Sequence, residues 1–200
     1  MGHYFSENVA AASRPGSVEL KVPGLSATLA TDRGVFSADQ VDAGSRYLLI
    51  DGPSPSAGDR VIVDVGAGYG PIALTQATRN PDATVWAVEV NDRARALTQH
   101  NAESLGLTNV KVVHPDEVPA DLAVDRIWSN PPIRIGKKSL HQLLNSWLSR
   151  LTTAGSAHLV VQKNLGADSL ASWLDGQGYQ VERRSSHRGY RLLDVRRTSG

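Results

Sequence analysis

Three glycines recur in a short stretch that follows an acidic residue. Gly66, Gly68 and Gly70 come after Asp64, and Ala67 lies between the first two glycines. Glycines let a backbone turn approach a ligand closely, and the free N–H groups of a following helix can point at that ligand. The spacing differs from the Gly-x-Gly-x-x-Gly pattern that binds a pyrophosphate. Because the Asp64 carboxylate would repel a pyrophosphate, the pattern favours a ligand with cationic groups.

Two more acids follow later strand-like runs. Glu89 ends the apolar run 84–90, and Asp116 comes just after the run 110–113. Ligands of open α/β sheets bind at the carboxyl ends of the strands, where an acid can accept both hydroxyls of a ribose. We therefore predict a ribose contact for Glu89 and an adenine-amine contact for Asp116. The alternatives are a surface or helix-capping acid for Glu89 and a turn residue for Asp116.

A proline-rich tetrad follows the fourth strand-like run, 124–128. It consists of Asn130, Pro131, Pro132 and Ile133. Consecutive prolines fix the backbone and remove N–H donors, so we expect the Pro131 carbonyl to lack a nearby N–H partner. With the Asn130 side chain it offers two fixed acceptors, which can hold an exocyclic amine and aim its lone pair at an electrophile. The alternative is a rigid loop that only ends a strand.

Basic residues form two groups. The formal net charge is only +1, but residues 183–197 carry six arginines and His187 against a single acid, Asp194. The arginines that we expect to contact a substrate are Arg183, Arg184 and Arg188. The second group consists of Arg134, Lys137 and Lys138. Each group is either a footprint for a phosphate backbone or a solvated face, and charge alone does not decide between them.

Alternating strand and helix patterns after about residue 60 position these residues. We predict strands over residues 61–65, 84–90, 110–113, 124–128, 157–162, 179–182 and 190–195. We predict helices over 71–79 and 92–105, along an apolar face from Leu140 through Trp147 to Leu151, and near 170–174. The last two strands must pair antiparallel, because the loop between them cannot hold a crossover helix. The fold class is α/β, with a mostly parallel sheet between helices.

Residues 1–57 show a different pattern. They contain a predicted hairpin over 18–30 with a turn at Pro23 and Gly24, and a short helix near 45–50. The composition of residues 52–58 is that of a linker. We expect residues 1–57 to form a lid that packs on a ligand-binding domain of residues 58–200.

Composition narrows the class of protein. The 200 residues include no cysteine, which excludes disulfides, thiolate zinc sites and a cysteine nucleophile. No apolar run approaches the roughly 18 residues of a membrane span, and the first residues do not resemble a signal peptide. We expect a cytoplasmic protein without membrane or metal partners, either a monomer or a weak dimer.

The chain resembles the class I S-adenosylmethionine-dependent methyltransferases, and within them the "methyltransferase small" group. This group includes the 16S ribosomal RNA guanine-N2 methyltransferases. Six segments carry the resemblance: His3 to Ser6 and the ranges 31–37, 41–45, 64–72, 130–137 and 187–193. The tetrad is the most specific of them, since relatives that act on adenine or protein glutamine usually have an aromatic residue where this sequence has Ile133.

The resemblance implies a Rossmann-like sheet of seven strands, S-adenosylmethionine as donor, and ribosomal RNA or the small ribosomal subunit as partner. It implies that the cofactor lies against Asp64, the glycine turn, Glu89 and Asn130. The substrate would lie against the tetrad, Phe36, Arg134 and Lys137. The longest relatives carry a second, degenerate domain copy that helps bind RNA. Without one, the arginines of 183–197 or the N-terminal segment would have to take that part.

Three other functions compete with this interpretation. A protein glutamine-N5 methyltransferase would use the same tetrad on an amide, but Ile133 argues against it. A noncatalytic RNA-binding ribosome assembly factor could keep the fold, but intact Asp64, Glu89 and Asn130 argue against it. A nicotinamide-dependent dehydrogenase disagrees with the glycine spacing and with the final antiparallel pair.

Overall fold

Strands and helices alternate along the chain as the apolar pattern predicts. The computed structural model describes residues 12–198. Its strands are β1 (Pro15–Val22), β2 (Leu25–Asp32), β3 (Val61–Val65), β4 (Thr84–Val88), β5 (Val110–Val113), β6 (Val124–Ser129), β7 (Leu151–Gln162), β8 (Tyr179–His187) and β9 (Tyr190–Arg197). Its α-helices are α1 (Ala43–Asp51), α2 (Pro71–Arg79), α3 (Asp92–Ser104), α4 (Lys137–Leu148) and α5 (Ala167–Gly176).

Seven strands form one sheet in the order β5-β4-β3-β6-β7-β9-β8, and β1 and β2 form a separate hairpin. The five strands from β5 to β7 are parallel, while β9 pairs antiparallel with both β7 and β8. This confirms the predicted fold class. From β3 the chain proceeds outward to β4 and β5, and then returns to β6 on the other side. The carboxyl ends of β3, β4 and β6 therefore meet at a topological switch point, where open α/β sheets bind ligands.

Two apolar cores cover the two faces of the sheet. Alternate residues of β3 point to opposite sides, so Ile62 belongs to the core under α1, α2 and α3, and Val63 to the core under α4 and α5. The β1–β2 hairpin packs with the first core through residues such as Leu20 and Leu29. It is also fastened to α3, because the Asn101 side chain bonds both backbone groups of residue 30. The boundary near residue 57 stays a prediction.

Two predicted bounds differ from the structure by five residues or more. Leu151 continues the helical period of α4 but belongs to β7, which begins there and not at residue 157. Leu151 pairs with Val124 of β6 in the sheet and does not continue the helix. A β-bulge follows between Val124 and Arg126. The last hairpin is longer than predicted, since β8 runs to His187 and only Arg188 and Gly189 form the turn. Both have positive φ, 45° and 84°, as in the tight turns that suit the strand twist.

Three further points concern the N-terminal segment, membrane-spanning helices and metal-binding groups. His3 to Ser6 lie outside the described residues. Within residues 12–198, no helix has the length and apolar character needed to cross a bilayer. In the same residues, no group of three or more histidine, aspartate or glutamate side chains is arranged to hold a metal ion.

Candidate active site

The glycine turn joins β3 to α2 at the switch point. Gly66, Gly68 and Gly70 all have positive φ, at 81°, 60° and 101°. A side chain at Gly66 or Gly68 would meet nothing within 4 Å, whereas one at Gly70 would come within 3.0 Å of Thr98. The first two glycines therefore border open space, and the third allows close packing on α3. The backbone N–H groups of Gly66 and Ala67 donate to the Val88 carbonyl, which ties the turn to the end of β4.

Asp64 is buried beneath this turn. Its Oδ2 accepts the Ala73 N–H at 2.9 Å, which fixes the first turn of α2. Its Oδ1 is buried without a hydrogen-bond partner among the described residues. Burial raises the pKa of Asp64 to about 8, against the effect of the Ala73 N–H and with a contribution from the Glu89 charge. A buried carboxyl oxygen without a partner is costly unless a group of a ligand donates to it, and a positively charged ligand would favour its ionised form.

Glu89 lies beside the glycine turn, as the sequence predicts for neighbouring strand ends. Its Oε2 accepts the Gly68 N–H at 2.9 Å, and its Oε1 accepts the N–H groups of Val90 and Asn91 at 2.9 Å each. The side chain is only partly buried. A carboxylate has about four lone-pair sites and three of them are occupied here, so Glu89 can hold the turn and still accept one hydroxyl group from a ligand.

The Asn130 side chain is held in one orientation by α1. Its Nδ2 donates to Asp42 Oδ2 at 2.7 Å and to Ser45 Oγ at 3.1 Å. Because the amide is planar and only its nitrogen carries hydrogens, Oδ1 points away from Asp42. Asp42 also caps α1, since the same Oδ2 accepts the Ser45 N–H at 2.9 Å. Nothing in the sequence indicated that Asp42 and Ser45 contact Asn130, although an aspartate before a predicted helix is a signal for a cap.

The expectation for Pro131 was wrong. Its carbonyl accepts the Ile133 N–H at 2.8 Å. Pro132 has φ −73° and ψ 79°, which is the conformation of an inverse γ-turn, so the first N–H after the two prolines reaches back two residues. A carbonyl oxygen has two lone pairs, so Pro131 can accept one more hydrogen bond. Ile133 is partly buried against the core under α4 and α5.

Two other predicted residues lie at the ligand edge of the sheet with their side chains in solvent. Asp116 is in the short 3-10 helix Pro115–Glu117 after β5, and its carboxylate is 92% exposed and contacts His114. Its proposed contact with an adenine amine stays a prediction. Phe36 is 67% exposed between β2 and α1. This segment contacts the start of α3, where the Asn91 side chain donates to the Gly34 carbonyl.

The arginines of 183–197 do not form one exposed cluster. Arg184 bonds Asp194 on the face covered by α1, and Asp194 also bonds the His158 Nδ1 at 2.8 Å. Arg183 and the buried Arg191 pair with Asp168 of α5, on the opposite face. Asp194 of the same segment and Asp168 of α5 thus neutralise part of the charge. Arg188 is exposed at the turn of the hairpin, and substrate contacts by Arg183, Arg184 and Arg188 stay predictions.

Comparisons with known proteins identify the family of the chain and several relatives. The chain matches the Methyltransferase small domain family over residues 26–194. It is 35% identical to the Bacillus subtilis protein YbxB over 198 residues, which cover 98% of each chain. It is 29% identical over 152 residues to Ribosomal RNA small subunit methyltransferase C of Shewanella halifaxensis, covering 74% of this chain and 43% of that protein.

A similar fold occurs in a solved structure, the T. thermophilus 16S rRNA N2 methyltransferase RsmC in complex with AdoMet and guanosine. The TM-score is 0.77 at 25% identity, covering 94% of this chain and 52% of that one. The chain therefore spans nearly all of YbxB but about half or less of these two ribosomal RNA methyltransferases. The protein belongs to the Methyltransferase small domain family and is an S-adenosylmethionine-dependent methyltransferase.

Proposed function

We propose that this protein methylates the exocyclic N2 of a guanine in small-subunit ribosomal RNA, in the cytoplasm. The observation that carries the proposal is the fixed amide of Asn130, whose nitrogen is held by Asp42 and Ser45 and whose oxygen points away from them. An amide oxygen in a fixed position can accept one N–H of an aromatic amine. The names of the ribosomal RNA relatives, and the guanosine bound to the similar solved structure, support guanine as the acceptor.

The chain supplies positioning more than proton chemistry. Asn130 Oδ1 and the second lone pair of the Pro131 carbonyl would accept the two N–H bonds of the amine, so that its lone pair points at the donor's methyl group. S-adenosylmethionine would supply that methyl group from its sulfonium, and the amine nitrogen would release one proton to solvent as its new bond forms. Asp64, the glycine turn and Glu89 would hold the donor at the carboxyl ends of β3 and β4. Correct placement of two reacting atoms can account for about 7–11 kcal/mol of a barrier.

The acceptor base would lie against Ile133 by apolar contact. Ile133 offers less stacking than an aromatic side chain, so Phe36 and Arg134, both exposed, would supply further contacts with the base or its phosphates. The guanine must be single-stranded or turned out of its stack, because a paired amine inside a helix cannot reach the tetrad. We propose further that residues before about 58 act as a lid, and that the protein works as a monomer or weak dimer.

The test uses the purified protein, labelled S-adenosylmethionine and small ribosomal subunits from cells that lack the gene. Digestion of the RNA to nucleosides should recover the label in N2-methylguanosine. Asn130→Ala should lose transfer while cofactor affinity changes little, because Asp64, the glycine turn and Glu89 would still hold the donor. Label in N6-methyladenosine, in the large subunit alone, or in protein glutamine would refute the proposal. Cofactor binding without transfer to any acceptor would favour the assembly factor.

A further inference from the structure

A groove of about 550 Å³ runs between α4 and α5, on the sheet face opposite α1 to α3. Its walls carry two lysines, two aromatic rings and several amides, among them Lys137, Lys138, His141, Asn145 and Trp173. Of the described residues, none that lines the groove is acidic. Its chemistry is therefore positive and aromatic, with amide groups that can both donate and accept hydrogen bonds.

A stacked ring pair forms one wall of this groove. The rings of His141 and Trp173 lie 3.6 Å apart between centroids, with 15° between their planes. Both side chains are partly exposed. Partial burial and the Lys137 charge lower the pKa of His141. The imidazole is therefore neutral at neutral pH, and the pair presents flat aromatic surface.

The groove begins where the tetrad ends. Residues Ile133–Ile135 form a 3-10 helix, Gly136 caps α4, and Lys137 is the first residue of α4. Arg134, Lys137 and Lys138 are all exposed along this path. Positive side chains thus lead from the acceptor amide of Asn130 to the ring pair. In the other basic group, Arg183 and Arg184 pair with Asp168 and Asp194.

We propose that the α4–α5 groove binds single-stranded RNA beside the target nucleotide. Lys137 and Lys138 contact phosphates, and a neighbouring base stacks against the ring pair of His141 and Trp173. A basic track with aromatic side chains is the usual arrangement for binding single strands with little sequence preference. The proposal rests on the proposed function only in that RNA is the acceptor, and its test is a binding measurement that needs no methyl transfer.

The charged part of the groove is tested by the salt dependence of RNA binding. Fluorescence anisotropy would follow a labelled 12-nucleotide single-stranded RNA of mixed sequence at several salt concentrations, with S-adenosylmethionine present. Each lost phosphate contact lowers the slope of log affinity against log salt by about 0.7, so Lys137→Ala with Lys138→Ala should lower it by about 1.4. The matched control is Arg60→Ala with Lys111→Ala, two exposed cations outside both basic groups and the N-terminal segment, which should keep the slope. Equal slopes for the two double variants would overturn the proposal.

The ring pair is tested by His141→Ala and by intrinsic fluorescence. His141→Ala should weaken RNA binding by about tenfold, the usual effect of one lost stacking platform. The other three tryptophans are buried, so RNA should quench the emission of Trp173, and the quench should disappear in Trp173→Phe, which keeps an aromatic ring for packing. If His141→Ala leaves the RNA affinity unchanged and Trp173→Phe leaves the quenching unchanged, the proposal that the groove binds RNA is wrong.

An assay with guanosine as a small methyl acceptor tests the proposed chemistry separately from RNA binding in the groove. The His141→Ala variant should methylate guanosine at the wild-type rate but methylate ribosomal RNA more slowly at low RNA concentration. If no guanine derivative accepts methyl groups while the groove variants still lose RNA affinity, the chemistry is wrong and the groove is right. If transfer to guanine occurs and the groove variants bind RNA normally, the proposed chemistry is right and the proposed groove is wrong.

Discussion

Replacing Asp42 with serine tests whether α1 orients the acceptor amide. Asp42 Oδ2 accepts two hydrogen bonds, from the Ser45 N–H at 2.9 Å and from the Asn130 Nδ2 at 2.7 Å. Serine is as good a helix cap as aspartate, so α1 should keep its cap and the protein its stability. The shorter hydroxyl cannot reach Asn130. The substitution therefore removes the amide contact and leaves the capping function intact.

The size of the effect follows from the lost contact. A hydrogen bond to a charged acceptor contributes about 1.5–3 kcal/mol, which corresponds to a factor of about 10–150 in the population of the correct amide orientation. Ser45 Oγ still accepts from Nδ2 at 3.1 Å, which moderates the loss. We expect Asp42→Ser to lower kcat by about 10–100-fold while the Kd for S-adenosylmethionine changes by less than about twofold. Asp42→Asn should recover much of the rate, because its amide oxygen can cap α1 and accept from Asn130.

Single-turnover methyl transfer and calorimetry on the same preparations separate the possible results. A wild-type rate in Asp42→Ser would show that α1 does not orient Asn130. A loss of cofactor affinity in parallel with the rate would show that the substitution moves the whole site. Failure of Asp42→Asn to recover more than Asp42→Ser would assign the effect to the lost charge and not to the acceptor.

Three other predictions follow from the site and the hairpin. Glu89→Ala should weaken S-adenosylmethionine binding about tenfold or more by calorimetry, and equal affinities would remove Glu89 from the cofactor site. Asp64 has a pKa of about 8 in the ligand-free folded protein and 3.8 in the unfolded chain. Its protonated form therefore stabilises the fold fully below pH 3.8, and this stabilisation is lost as the pH rises through 8. The stability of Asp64→Asn should therefore fall less than that of wild type between pH 5 and 9 in denaturant titrations, and parallel curves would contradict the raised pKa. Arg184→Ala should destabilise the fold by about 1 kcal/mol through the Asp194 pair, and Arg188→Ala by much less; equal losses would mean that the pair contributes nothing.

Local patterns predicted the elements and the cofactor edge. The glycine turn follows from residues within one short segment, and Glu89 follows from a strand end. Both conclusions needed only the rule that parallel strands end at one edge of the sheet. The predicted antiparallel pairing of β8 and β9 needed only the length of their loop. Each of these features is determined by residues that are close to it in the sequence.

Contacts between distant segments were not predictable in this way. Asp42 and Asn130 are 88 residues apart, and no spacing in either segment indicates that they meet. The acid that neutralises Arg183 comes from α5, so a count of charge within 183–197 overstated the exposed charge. Leu151 fits the helical period of α4 as well as any earlier leucine, and only its pairing with β6 places it in a strand. In each case the deciding partner comes from elsewhere in the chain.

Asp64, the acid beneath the glycine turn, shows how the local sequence pattern and the contacts in the structure combine. From the sequence, Asp64 excludes a pyrophosphate, because its charge would repel one. In the structure, its Oδ1 is buried without a partner among the described residues, and Glu89 lies close enough to raise its pKa further. The Glu89 charge disfavours the ionisation of Asp64, and a cationic ligand beside Asp64 removes that penalty. Binding of a ligand with ammonium and sulfonium groups should therefore lower the pKa of Asp64, and the same acid that excludes nucleotides with pyrophosphates then favours S-adenosylmethionine.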